Sequence, residues 1–143
     1  MASNTPAAAI EARLAANWTT TPVFLADEIN DPPEPPSPFV VLEFPGGFSR
    51  QYTIGSPGSN VWLEEGAFMI HVMVPVGIDP GSGLPWRKVA RNYAETIAQI
   101  FRGQTFATSV ICYAPLPPQE SERANGNYWG VSFGVPFHYQ FLA

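Results

Sequence analysis

The closing segment of the chain, residues 129–141, constrains the fold more than any other. Large apolar residues alternate there with small or polar ones. The large set is Trp129, Val131, Phe133, Val135, Phe137, Tyr139 and Phe141, and the intervening set is Gly130, Ser132, Gly134, Pro136, His138 and Gln140. A period of two predicts a half-buried antiparallel strand. At roughly 3.4 Å per residue it is about 40 Å long, and its proline and glycines predict a bend, a bulge or an edge position.

A second long strand is predicted over residues 61–76. One of its faces carries Phe68, Ile70, Val72 and Val74, and the other carries Ala67, Met69, His71 and Met73. Because both faces are largely apolar, both are expected to be covered, either by the chain's own helices or by another subunit. Met69, His71 and Met73 are therefore candidate interface residues.

The clearest helix is predicted over residues 85–102 and ends at Gly103. Its apolar side carries Trp86, Val89, Ala90, Tyr93, Ile97, Ile100 and Phe101, and its far side carries Arg87, Lys88, Arg91 and Arg102 with Glu95 among them. A shorter helix is predicted from Pro6 to about Asn17, with Thr5 as its cap. Both helices have one apolar face for packing.

Shorter strands complete the predicted order. They lie at residues 23–26, 39–44 and 108–114, and residues 48–54 are expected to pair with 39–44. Breaks rich in glycine and proline fall at 45–47, 55–60 and 77–85, and residues 115–127 are predicted to form a polar loop. This order predicts a single α+β domain over residues 1–143, with two helices packed on a twisted, mainly antiparallel sheet.

The charge content limits the possible functions. Only 19 of the 143 residues are charged, 7 basic and 12 acidic, which gives a net charge of −5. A protein that mainly neutralises DNA phosphates needs a surplus of lysine and arginine. The single cysteine, Cys112, allows neither an intrachain disulfide nor a thiolate zinc cage, and no segment has the pattern of a signal peptide or a membrane span. We expect a soluble intracellular protein.

The few charges are unevenly placed. Residues 27–38 contain the acids Asp27, Glu28, Asp31 and Glu34 with five prolines and no basic residue, which predicts a stiff acidic loop. Arg87 and Lys88 lie in the first turn of their helix, where the helix dipole disfavours cations. Opposite charges on two separate patches suit a head-to-tail contact between identical subunits, so the acidic loop and Arg87, Lys88 and Arg91 are candidate contacts. A solvated helix face is the simpler alternative.

No constellation of residues predicts catalysis. The two histidines, His71 and His138, are far apart in the sequence, and no zinc-binding spacing is present. Glu64 and Glu65 are strand neighbours that point to opposite faces. The sequence therefore predicts no catalytic, cofactor-binding or metal-ligating residue, and no enzyme.

Five segments together resemble one known family. They are FVVLEF at 39–44, FMIHVMVPVG at 68–77, VARNYAETIAQIFRGQTF at 89–106, TSVICYAPLPP at 108–118 and YWGVSFGVPFHYQF at 128–141. With the N-terminal helix they resemble the tail terminator, or tail completion, proteins of long-tailed bacteriophages and gene transfer particles. The likeness covers residues 6–142, and its motifs are structural rather than catalytic.

The resemblance implies a virion protein assembled in the host cytoplasm. Such a subunit forms a homohexameric ring at the head-proximal end of the tail, stops polymerisation of the tail tube and provides a surface for head-tail joining. The implied partners are further copies of the chain, the tail tube protein and a neck or head-completion protein, with DNA at most passing through the channel and no membrane or cofactor. Residues 46–60 are expected to project towards the tube or a neighbouring subunit.

Two alternatives remain open. A head-tail connector or stopper of the neck would share the ring architecture and differ mainly in ring number and in contacts with DNA. A small enzyme or ligand-binding α+β domain would use Trp62, Trp86 or Tyr93 as a pocket wall, but the sequence lacks the convergent polar groups that such pockets need.

Overall fold

The structure is a computed structural model that describes residues 4–26, 36–107, 109–121 and 128–143. Within these ranges two helices and seven strands follow one another. They are α1 (Asn4–Asn17), β1 (Val23–Leu25), β2 (Phe39–Gln51), β3 (Val61–Pro75), α2 (Trp86–Phe101), β4 (Thr105–Phe106), β5 (Val110–Cys112), β6 (Gln119–Ser121) and β7 (Tyr128–Leu142). No helix in these ranges is long and apolar enough to cross a membrane.

The two long strands that the sequence predicts form the centre of the sheet. β3 and β7 are 15 residues each and pair antiparallel along their whole length, from Val61 opposite Leu142 to Pro75 opposite Tyr128. The strand order is β1-β2-β3-β7-β5-β4, and β6 also pairs with β7. β1 runs parallel to β2, while the other pairs are antiparallel. The predicted α+β domain with a mainly antiparallel sheet is confirmed.

Both helices pack on one face of this sheet. Ile10 and Leu14 of α1 join one hydrophobic core with the apolar side of α2 and the face of β3 that begins with Phe68 and Ile70. The rings of Phe68 and Phe101 meet edge to face at 4.9 Å, an arrangement that aromatic pairs prefer. α2 ends at Phe101, and Gly103 follows with φ of 62°, a conformation that glycine adopts without strain.

The opposite face of the sheet has its own, smaller apolar cluster. Met73 packs there with Phe39, Val41 and Tyr128, and Phe24 lies against them. The Tyr128 hydroxyl accepts a hydrogen bond from the Ser37 amide at 3.2 Å. The chain's own helices therefore do not cover the second apolar face of β3, since both pack on the other side.

One predicted pairing is wrong. Residues 39–51 form a single strand, so residues 48–51 pair with β3 and not with 39–44. The Pro45-Gly46-Gly47 stretch makes a bulge, seen as a register shift between Glu43 and Gly46, instead of ending the strand. Gly47 allows a close approach, because a Cβ atom there would lie 2.4 Å from the Glu65 carbonyl oxygen. The predicted polar loop at 115–127 also contains a short strand, β6.

The closing strand accommodates Pro136 without lying at a sheet edge. On one side Pro136 faces Ala67 of β3, and on the other its carbonyl oxygen accepts a hydrogen bond from the Tyr113 amide at 2.9 Å. This position falls between the partners β5 and β6, where strand pairing is interrupted. A proline, which has no N–H to donate, is tolerated at such a gap.

Candidate interaction surfaces

The sheet continues beyond the residues that the helices cover. We call this part, residues 46–66 of the β2–β3 hairpin together with residues 140–142 of β7 and Ala143, the projecting end. Every residue from Gly47 to Ser59 is exposed. Four large apolar side chains stand in solvent here: Phe48 (61% exposed), Tyr52 (63%), Ile54 (101%) and Leu142 (70%). A concentration of exposed apolar side chains in one region of the surface marks an interaction site.

Hydrogen bonds give the projecting end a defined structure. The amides of Asn60 and Ala143 each bond the other's carbonyl oxygen, at 3.2 and 2.9 Å, which ties the hairpin to the chain's last residue. The Thr53 hydroxyl accepts a bond from the Val61 amide at 2.9 Å, and the Asn60 side-chain amide donates to the Ser56 carbonyl oxygen at 3.2 Å. The exposed apolar groups are thus presented on ordered strands and a closed turn.

The basic side of α2 forms a second surface. Arg87, Lys88, Arg91 and Arg102 are all exposed, as the amphipathic pattern predicts. Arg91 pairs with Glu120 of β6 at 3.3 Å, and both side chains are more than half exposed. In the described ranges neither Arg87 nor Lys88 has an ion-pair partner, and the first turn of α2 contains no acidic residue.

A groove opens beside this first turn, and we call it the tryptophan groove. It is lined by Pro75, Val76, Gly77, Pro85, Trp86, Arg87 and Trp129. The Trp86 amide donates to the Gly77 carbonyl oxygen at 3.0 Å, and Asp79 holds the intervening loop by accepting bonds from the Gly81 amide at 3.0 Å and the Ser82 hydroxyl at 2.8 Å. Exposed Val76, Ile78 and Leu84 extend the apolar surface around it.

His71 belongs to a polar row that crosses three strands. Its Nδ1 lies 2.6 Å from the Ser132 hydroxyl, and its Nε2 lies 3.1 Å from Glu43 Oε2. With both ring nitrogens engaged, the imidazole connects β2, β3 and β7. His71 and Met73 are 8% and 6% exposed within the single chain, so of the three predicted interface residues on this face only Met69 presents appreciable surface.

The predicted site residues divide into three groups. The structure brings Arg87, Lys88 and Arg91 together on α2, and it places Met69, His71 and Met73 on the face opposite the helices. Asp27, Glu28, Asp31 and Glu34 lie outside the described residues, so their contact with the basic helix stays a prediction. No cluster of three or more His, Cys, Asp or Glu side chains that could hold a metal ion is found in the described part of the chain.

Two of the three aromatic residues proposed as pocket walls do not line the groove. The Tyr93 ring packs edge-on against Trp18 with centroids 5.2 Å apart, and burial together with the charge of Asp79 raises the pKa of its hydroxyl. Trp62 is half-buried on the projecting end. Trp86 does line the groove, together with Trp129, a partner that sequence reasoning missed. The sequence holds no signal for this partner, because the position of Trp129 beside the Pro75 end of β3 follows from strand register.

Comparison with known proteins adds support for the fold. No protein-family model matches the sequence. No curated protein is similar to it either. Among solved structures 23 chains match. One of them is 20% identical to this chain, covers 99% of this chain and 97% of its own, and has a TM-score of 0.62. At this identity the likeness shows the fold alone, and it extends over essentially the whole chain.

Proposed function

We propose that this chain is a structural subunit of a virus-like tail, a tail terminator that forms a ring on the end of the tail tube. The ring stops tube polymerisation and offers its other side to the protein that joins the head. The subunit contributes contact surfaces and performs no reaction. The family resemblance of the sequence motivates the proposal, and the layout of the exposed surfaces supports it.

The projecting end is the observation that carries the proposal. The strands and the turn of the projecting end hold Phe48, Tyr52, Ile54 and Leu142 in water, where burying each against a partner contributes roughly 1.5–3 kcal/mol. A monomer gains nothing from this arrangement. A subunit that must fit a neighbour or a tube gains binding free energy from it, and the backbone bonds at Asn60 and Ala143 reduce the ordering cost.

Length control follows from a difference between two surfaces. The projecting end is a β hairpin with exposed aromatic and aliphatic groups, whereas the opposite end of β3 has the tryptophan groove and the cations of α2. A ring whose one side fits the tube and whose other side differs from it accepts no further tube subunit. The two ends of β3, Val61 and Pro75, carry these unlike surfaces.

The first experiment measures assembly. Light scattering after size-exclusion chromatography, with negative-stain images, is expected to show rings of about 94 kDa, six subunits of 15.6 kDa. Because some rings form only on a tube, the second experiment adds the protein to polymerising tail tube subunits from the same particle. Tubes are expected to become shorter with rings at one end. Tubes of unchanged length without bound protein would contradict the proposal.

A matched pair of variants tests the projecting end itself. Ile54→Ser removes an apolar side chain from this surface, and Leu116→Ser removes one that is 56% exposed elsewhere. We expect Ile54→Ser to weaken ring formation or tube binding and Leu116→Ser to leave both unchanged, with equal folding by circular dichroism. Equal loss in both variants, or in neither, would remove the support that this surface gives.

A further inference from the structure

The first turn of α2 has charges that its own helix disfavours. Arg87 and Lys88 stand where the positive end of the helix dipole lies, which disfavours their positive charge. Neither the first turn nor an ion pair in the described ranges supplies a compensating acid. A chain with only 7 basic residues places two of them at this position. An anionic partner would compensate the charges of Arg87 and Lys88 at this end of α2.

The tryptophan groove beside these cations adds a second requirement. Its lining includes two tryptophans and two prolines, Trp86, Trp129, Pro75 and Pro85, together with Arg87. Grooves lined by aromatic side chains bind proline-rich segments in the polyproline II conformation, which loses little entropy on binding. A fitting partner is thus both proline-rich and acidic.

The chain itself contains one segment of that composition. Residues 27–36 include the four acids Asp27, Glu28, Asp31 and Glu34, four prolines and no basic residue. Residues 27–35 lie outside the described residues, and Ala26 and Pro36, which flank them, are both exposed. These four acids are a third of the 12 acidic residues in the chain, and no other stretch of the chain is as rich in acids.

The topology favours a contact between copies. The segment follows β1, the outermost strand at one edge of the sheet. The basic side of α2 contacts β6 through Arg91 and Glu120, and β6 lies on the far side of β7 from β3. Two different surfaces that complement each other form a heterologous contact, which closes into a ring when the rotation allows.

We propose that the tryptophan groove and the cations Arg87 and Lys88 of one subunit bind the acidic, proline-rich segment 27–36 of the next copy. The occupant is a second copy of this chain, and the contact rests on the ring proposed above. Carboxylates pair with the two cations, and prolines lie against the indole rings. The contact is head-to-tail, so every subunit uses both surfaces.

Charge reversal in two separate variants tests the contact. The helix variant carries Arg87→Glu and Lys88→Glu, and the segment variant carries Asp31→Lys and Glu34→Lys. Each alone brings like charges together at every contact and is expected to assemble at least tenfold more weakly than the natural chain. An equimolar mixture is expected to recover assembly as alternating rings, and so is one chain with all four changes. Arg102→Glu, at the far end of α2, is the matched control and is expected to assemble normally.

A peptide experiment measures the contact independently of ring assembly. A synthetic peptide of residues 26–38 is titrated into the segment variant, with the tryptophan fluorescence as the signal. We expect saturable binding that weakens with salt and is lost when the peptide carries Asp31→Lys and Glu34→Lys. Single-stranded DNA, as a competing polyanion, is expected not to displace the peptide.

The outcomes separate this contact from the proposed function. If both reversed variants form rings as the natural chain does, the contact is wrong while the ring stands. If the natural chain forms no rings, alone or on a tube, but the peptide binds, the contact stands while the ring fails. If the peptide does not bind, if DNA displaces it, or if the mixture does not recover the assembly lost in each variant, the proposal is overturned.

Discussion

The two ends of the same three strands, β2, β3 and β7, differ in what their side chains contact. Where the helices cover them, Phe68, Ile70 and Phe133 are at most 2% exposed. On the projecting end the same strands keep their hydrogen-bonded pairing, yet Phe48 is 61% exposed. Backbone pairing is thus continuous while burial is not. Stability is concentrated in the covered part, and the projecting end is available for contact with another molecule.

The boundary between the two parts is marked by small residues in register. Gly47 lies opposite Gly66, and Gly46 opposite Ala67, which in turn faces Pro136. Such a row allows the backbones to approach closely and to bend. The predictions below compare the covered part, the boundary and the projecting end, from the largest expected effect to the smallest.

Phe68→Ala and Phe48→Ala compare the same truncation in the two parts. Phe68 is fully buried and touches Phe101, Phe44 and Phe137. Its removal is expected to lower the free energy of unfolding by about 3–5 kcal/mol, whereas Phe48→Ala in the monomer is expected to change it by less than about 0.5 kcal/mol. Urea unfolding measures both. Similar losses would mean that the projecting end is part of the core.

Gly47→Ala tests the boundary. Its new Cβ atom meets the Glu65 carbonyl oxygen at 2.4 Å, which is backbone and has to shift. We expect a loss of about 1–3 kcal/mol in the free energy of unfolding. Gly81→Ala is the matched control, because its Cβ meets only the two carboxylate oxygens of Asp79, at 3.4 and 4.0 Å, which are ordinary contacts. A Gly47→Ala protein as stable as the control would show that the strands can separate here without cost.

The covered part was predictable from the sequence, and the boundary was not. Alternation along residues 129–141 and the amphipathic pattern of residues 86–101 report burial directly, and the structure has β7 and α2 at those places. Pro45, Gly46 and Gly47 have the composition of a turn, but a bulge keeps their strand continuous. Whether such a stretch forms a turn or a bulge depends on the strand that pairs with it, here the part of β3 around Gly66, about 20 residues further along the chain.

The candidate surfaces were likewise predictable only where they follow from local periodicity. The cations of α2 were predictable because helical periodicity places them on one side. Trp129 and Trp86 are 43 positions apart and line one groove only because β7 begins beside the end of β3. The row of Glu43, His71 and Ser132 likewise follows from strand register, which a single sequence does not specify.

Cys112 gives a test of the covered part through pH. Burial raises the pKa of its thiol from 9.0 to about 12, with a smaller opposing effect of the Arg13 charge. Above pH 9 the unfolded chain loses this proton while the folded chain keeps it, so unfolding releases a proton and stability falls as pH rises towards 12. The expected slope is about 1.4 kcal/mol per pH unit.

The difference between the natural chain and Cys112→Ala isolates this effect from other groups that titrate in alkali. Urea unfolding at pH 8 and pH 10 is expected to show a steeper loss for the natural chain. Parallel losses in the two proteins would mean that the thiol is accessible to water in the folded state. Reaction with a thiol reagent at pH 8, expected only after unfolding, checks the same point independently.

Arg50 on the projecting end is expected to have the smallest effect on stability. Its guanidinium lies 3.4 Å from Glu65 Oε1, and the two side chains are 56% and 37% exposed. Exposed pairs of this kind contribute about 0.2–1 kcal/mol and are screened by salt. Arg50→Ala is therefore expected to lower the free energy of unfolding by no more than this amount in dilute buffer and by less in 1 M NaCl, as measured by urea unfolding.

A larger, salt-independent loss would mean that packing of the Arg50 side chain, including its 6.0 Å approach to the Tyr52 ring, stabilises the hairpin. The contrast between a stable covered part and a projecting end reserved for contact would then need revision, because the hairpin would contribute to folding as well.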